Sequence, residues 1–208
     1  MDRKNERFAA CSRVFFVLQM VCAAGCVMFS CGGGRQGTPK PRGYYRIALP
    51  EEHTYAPLSL KGYPYTFDVS THATATPNTS RGSEPYWLDV YYADYNAIIY
   101  LSYKSIETMN AYAQLVEDAH TLVYRHTIKA DAISEQRFES GSGKTFGYLY
   151  EIGGNAATNV QFYMTDSTKN FLRGSLYFNV HPNRDSLAPV IEFITEDIRR
   201  LMETLEFI

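Results

Sequence analysis

The sequence has no cysteine beyond residue 31, no surplus of cations and no apolar run fit to span a bilayer. Each absence removes a class of protein. Cys11, Cys22, Cys26 and Cys31 all lie near the N-terminus, so no disulfide staples the rest of the chain and no Cys-based metal site is built there. Lys and Arg number 20 against 22 Asp and Glu, a net charge of −2. That balance leaves nothing over to neutralise phosphates and argues against nucleic-acid binding. The five histidines, His53, His72, His120, His126 and His181, include no His-x-x-x-His pair carrying a Glu, so there is no zincin signature. No Gly-x-Ser-x-Gly elbow and no internal repeat is present. What the chain does contain is 45% hydrophobic residues and 17 Tyr, which exclude wholesale disorder, in 208 residues that suit one domain.

The first 30 residues read as an address. Arg3, Lys4, Arg7 and Arg13 make a basic leader, and an apolar run follows over residues 14–30, interrupted by Gln19. A transmembrane helix needs about 20 apolar residues with flanking anchors. A basic leader, a shorter apolar core and small residues before a cleavage point instead define a secretory signal. Phe29-Ser30-Cys31 runs into Gly32-Gly33-Gly34, which is similar to a bacterial lipobox, so Cys31 is the expected lipidation site and the new N-terminus. Ala23-Ala24-Gly25-Cys26 fits the small-residue rule and stays open as the rival, although cleavage there strands Val27-Met28-Phe29. Two or more acyl chains anchor durably where one does not. After cleavage at Cys31 the chain carries 16 Lys and Arg against 20 Asp and Glu, a net charge of −4 with no polybasic segment. Attachment then rests on lipid rather than on surface potential. Residues 31–43, Gly-rich and then stiffened by Pro39 and Pro41, read as a tether spanning at most roughly 40 Å.

Residues 44–208 read as a single α+β domain. Strands are predicted at residues 44–49, 63–69, 86–92, 97–104, 132–138, 145–152, 159–165 and 171–180, from their Tyr, Ile, Val and Phe content and period-two alternation. The Thr/Ser/Pro-rich stretch 71–85 reads as an exposed loop. A helix capped by Ser105 should run to about Arg125 with Met109, Tyr112, Val116, Ala119 and Val123 on one stripe. A last helix begins near Asp185 or Ser186, with Pro189 in its first turn. Strands, helix, antiparallel strands and helix imply two main helices packed on an antiparallel sheet. That order resembles the PsbP/Mog1-like arrangement.

Candidate sites are few. Ser140-Gly141-Ser142-Gly143-Lys144-Thr145 ends like a phosphate-binding loop, but Phe138 stands where its first Gly is needed and the segment joins two strands, so it reads as a hairpin loop. Asp118, His126, Lys129 and Asp131, with Glu151, form a polar cluster; such charges at helical spacing are more often a solvated face. In the last strand pair, Val160, Phe162 and Met164 should face the core with Leu172, Leu176 and Phe178. The opposite face then carries Gln161, Tyr163, Thr165, Arg173, Ser175, Tyr177 and Asn179. Of these, Gln161, Tyr163, Arg173, Tyr177 and Asn179 are the candidate partner-docking face, since Tyr and Arg are favoured interface anchors.

Several stretches resemble the gliding motility-associated lipoprotein GldD family of Bacteroidota. They are Pro39-Lys40-Pro41-Arg42-Gly43-Tyr44, Glu117-Asp118, Tyr124 through Ile133, Tyr150-Glu151-Ile152-Gly153-Gly154-Asn155, and a run from Val160 through Thr165-Asp166-Ser167-Thr168-Lys169 and Phe171-Leu172-Arg173-Gly174 to Asp185-Ser186-Leu187-Ala188-Pro189-Val190. The resemblance implies an outer-membrane lipoprotein needed for gliding and associated with the type IX secretion apparatus. It brings no catalytic residues, no metal and no cofactor beyond the covalent lipid. The implied partners are the membrane and other envelope motility or secretion proteins. Gly32-Gly33-Gly34-Arg35-Gln36 replaces the acidic run that resembles a surface-export signal in this phylum, so the domain is expected to face the periplasm. The favoured reading is a non-enzymatic assembly component. The alternative is an envelope enzyme or small-ligand-binding lipoprotein acting on glycan or lipid.

Overall fold

The computed structural model of the protein describes Gly43 and residues 47–180 and 183–208. The predicted signal peptide, Cys26 and Cys31 lie outside the described residues, as does the tether apart from Gly43. The elements described below all belong to one unit, Tyr44–Ile208.

A seven-stranded antiparallel sheet forms the body. Its strands are β4 (Thr74–Pro77), β5 (Leu88–Tyr92), β6 (Ala97–Ser105), β7 (Ile133–Glu139), β8 (Phe146–Ile152), β9 (Thr158–Thr165) and β10 (Asn170–Phe178). They are ordered β4-β5-β6-β10-β9-β8-β7. The long β10 lies between β6 and β9, with Leu172 opposite both Tyr103 and Met164. Two short pairs flank the sheet: β1 (Tyr55–Pro57) with β3 (Asp68–Ser70), and β2 (Tyr65–Thr66) with β11 (Glu206–Phe207).

Helix α1 (Met109–Tyr124) and helix α2 (Arg184–Thr204) take opposite faces of the sheet. Side chains alternate along each strand, so one register set meets each helix. Leu88, Val90, Ile99, Leu101, Val160, Phe162, Leu172 and Leu176 pack with Val190, Ile194, Ile198, Leu201 and Leu205 in the main core. The other set, including Tyr150, Ile152, Tyr163 and Phe171, meets Ala119 and Val123 of α1 in a second, smaller core. The domain is therefore three layers, α2 on sheet on α1, of the α+β class the sequence predicts. Gly147 and Gly174 allow close approach in the sheet: a Cβ at Gly147 would overlap the Tyr163 carbonyl, and one at Gly174 the Phe162 ring.

Several boundaries differ from the sequence expectation. Residues 47–50 are not a strand. The stretch read as an exposed loop holds β4, whose exposed Thr residues suit a solvated edge. Residues 63–69 split at buried Phe67 into β2 and β3, which join different sheets. Ser105 pairs with Asn170, and the Ile106 amide donates to the Lys169 carbonyl at 2.7 Å, so the ladder consumes the predicted cap. Thr108 caps α1 instead, its Oγ1 accepting from the Ala111 amide at 3.1 Å. Pro189 lies in the second turn of α2, because the helix begins at Arg184.

Candidate functional site

The face parity of β9 and β10 is as the sequence predicts, but its exposure is not. Arg173 lies opposite Tyr163, and Ser175 opposite Gln161, on the face away from α2. Gln161 and Tyr163 are nevertheless 1% and 4% exposed, so they form no open docking surface. The cause is α1, which covers this end of the sheet. Tyr163 stacks on Phe171 at 5.2 Å between ring centres, within the core that holds Ala119 and Val123. Burial, with Tyr112 and Tyr148 nearby, pushes the Tyr163 phenol up to about 12. Asn179 is exposed but engaged: its amide donates to the Asn96 carbonyl at 2.9 Å, and the Asn96 side chain donates back to the Asn179 carbonyl at 3.2 Å. That pair ties the end of β10 to the turn before β6.

Arg173 and Tyr177 are what remains of the predicted face, and they line a groove of about 360 Å3 with Trp87, Tyr100, Ser102 and Ser175. Two strands and one flanking residue supply it: β6 brings Tyr100 and Ser102, β10 brings Arg173, Ser175 and Tyr177, and Trp87 stands just before β5. Tyr100 and Tyr177 meet edge to face at 5.7 Å. The Trp87 indole donates to the Tyr103 carbonyl at 3.2 Å, which fixes that wall. Arg173 Nη2 donates to Gln161 Oε1 at 2.5 Å. Among the described residues Arg173 is in no ion pair. Burial lowers its pKa, but a guanidinium stays charged near neutrality.

The predicted polar cluster does not assemble. Glu151 lies on the α2 face, ion-paired with Arg199 at 2.5 Å. Asp118 is exposed on α1, and Lys129 and Asp131 are exposed after it, where the Asp131 amide donates to the Gly153 carbonyl at 3.3 Å. Register parity separates Glu151 from the other four, because odd and even positions of β8 face opposite layers. His126 is half-buried in the short turn that follows α1. Burial and then the Arg173 charge lower its pKa, which keeps it neutral at pH 7. The residues 140–145 form the β7–β8 hairpin loop, docked on the chain end by the Gly141 amide donating to the Glu203 carbonyl at 2.7 Å.

Sequence reasoning missed one polar node. Buried Asp197 of α2 bonds His53 Nδ1 at 2.7 Å and accepts from the Tyr92 hydroxyl at 3.0 Å. The His53 ring stacks on Phe193 at 4.2 Å. Burial and then Asp197 push the Tyr92 phenol up, so it remains a proton donor. The node braces the segment before β1 against α2. Asp197 lies on the apolar side of α2 between Ile194 and Ile198, a breach of amphipathic pattern that marks such a node in a sequence.

No group of three or more His, Cys, Asp or Glu among the described residues is arranged to hold a metal ion. No described helix is long and apolar enough to cross a membrane. Fold and groove thus define an α+β domain whose sheet carries a recess lined by aromatic and polar side chains. The model of the gliding motility lipoprotein GldD family matches residues 34–207, and the chain belongs to that family. It is therefore a membrane-associated lipoprotein of the cell envelope, linked by family to gliding motility. No curated protein matches it. Among solved structures it is similar to cyanobacterial PsbP (CyanoP) from Synechocystis sp. PCC 6803, at 9% identity and a TM-score of 0.41, over 74% of this chain and 92% of that one.

Proposed function

We propose that this protein is an outer-membrane lipoprotein, anchored through Cys31 with its domain in the periplasm, that supports gliding motility and type IX secretion as a non-enzymatic assembly component. The observation that carries this reading is the family match, which spans the whole folded domain rather than a short motif. Its polar side chains add support. Asp166, Asn159 and Asp197 are each engaged in bonds that hold turns or elements together, as a scaffold requires. Membrane partners and other motility or secretion proteins are the implied associates, and the covalent lipid is the one prosthetic group. The test is a strain lacking the protein, scored for secretion of type IX cargo and for surface movement. Loss of either, restored by the native chain but not by Cys31→Ala, is the expected result. Labelled palmitate still incorporated by Cys31→Ala contradicts the anchor, and full restoration by that variant contradicts the need for it; undiminished secretion and movement in the strain lacking the protein contradict the role.

A further inference from the structure

The Arg173 groove is the feature that neither scaffold nor family reading absorbs. Two buried polar atoms beside it have no hydrogen-bond partner among the described residues: Ser175 Oγ and Gln161 Nε2. Each such atom has lost its solvation without a replacement bond, and a fold rarely keeps two side by side without cause. They are cross-strand neighbours, and Gln161 Oε1 is already held by Arg173. Ser175 is 3% exposed and lines the groove itself. Its hydroxyl is therefore a buried, unpartnered donor in the lining of the groove, two positions along β10 from Arg173, whose guanidinium bonds Gln161 but is in no ion pair among the described residues.

The charge inventory around the groove narrows the ligand. Arg173 contributes one positive charge. His126, close enough to feel it, is held neutral. Lys104, further along β6, is ion-paired with Glu84. Asp89, opposite Tyr100, accepts from the Asn78 amide at 2.8 Å and does not pair with Arg173. The groove thus carries one guanidinium in no ion pair and one hydrogen-bonded carboxylate at its edge, a balance that can accept a monoanion at Arg173 but leaves a phosphate dianion uncompensated. A guanidinium presents a planar fork suited to a carboxylate, and Gln161 fixes one arm of it. The Trp87, Tyr100 and Tyr177 rings supply apolar walls, and small-molecule sites begin at about 300 Å3.

We infer that this groove is a binding site for a small carboxylate-bearing molecule, with Arg173 and Ser175 holding the carboxylate and the three aromatic rings holding its apolar body. Trp87 is the one tryptophan of the chain and reports directly on occupancy. The full-length lipidated protein in detergent is titrated with acetate and cyclohexanecarboxylate at constant ionic strength, following Trp87 emission and thermal unfolding. Cyclohexanemethanol, inorganic phosphate and chloride serve as comparison probes. Both carboxylates should give saturable changes and raise the unfolding temperature, with the cyclic acid the tighter; the alcohol, phosphate and chloride should do neither. Arg173→Lys keeps the charge and loses the fork, and should weaken binding about tenfold. Ser175→Ala should weaken binding several-fold while leaving the unliganded unfolding temperature unchanged or higher, since it removes an unpaired hydroxyl. That split separates a binding role from a structural one. No saturable response to either carboxylate, an equal response to phosphate or to the alcohol, or native affinity in both variants would overturn the assignment.

Discussion

Asp166 fixes the turn between β9 and β10 almost single-handedly. Its Oδ1 accepts from the amides of Thr168, Lys169 and Asn170 at 2.8–2.9 Å, and its Oδ2 from the Asn170 side chain at 2.7 Å. Burial alone would raise its pKa, but these donors together favour the ionised form and the net shift is downward. A depressed carboxylate stabilises the fold above its unfolded value, near 3.9, and that contribution is lost as pH falls through the folded value. Asp166→Ala should therefore cost about 1–3 kcal/mol in urea unfolding at pH 7, and the gap from the native protein should close in acid. A variant equal to the native protein at pH 7 would refute this. His126 also acts above its unfolded value. Its folded pKa is lowered by burial and by Arg173, so the unfolded chain takes up the proton first as pH drops below about 6.5. Native stability should decline from there towards the folded pKa and then level off. His126→Gln should show a shallower decline over that window in denaturant midpoints; identical slopes would contradict it.

At the level of elements, α1 decides what the sheet exposes. It buries one end of its face over Tyr163 and Phe171 and leaves Arg173, Tyr177 and Tyr100 beside it accessible to a groove. The stripe read from the sequence put Met109 and Val123 together, yet Val123 is 1% exposed and Met109 is 71% exposed. Val123→Ala should destabilise by about 2 kcal/mol and speed amide exchange along α1, while Met109→Ala should be nearly neutral. Equal effects of the two would show that α1 packs differently. The same contrast explains what the sequence could show. Strands rich in Tyr, Ile and Val announced themselves by alternation, and the parity placing Arg173 with Gln161 was correct. The β4 strand hid among Thr residues, and the two-residue β11 is too short to carry a period. The burial of Gln161 and Tyr163 depends on where α1 lands, which no local pattern encodes. His53 and Asp197 lie 144 residues apart, so their bond is a product of the tertiary fold alone.

For the whole molecule, the family match and the three-layer domain describe a chain whose buried polar groups serve mainly to hold a rigid body together. A rigid body of this kind is consistent with the docking role proposed above. The groove adds a ligand site to that body without requiring chemistry there. The central claim is association with the envelope machinery of motility and secretion. Its most direct test is crosslinking of the lipidated protein in its own membrane, followed by pull-down and identification of the captured chains. The account predicts a reproducible set of motility or type IX secretion proteins, retained by Arg173→Lys and lost when Cys31→Ala removes the anchor. Recovery of none of these proteins, from cells in which the anchored protein is intact and folded, would contradict it.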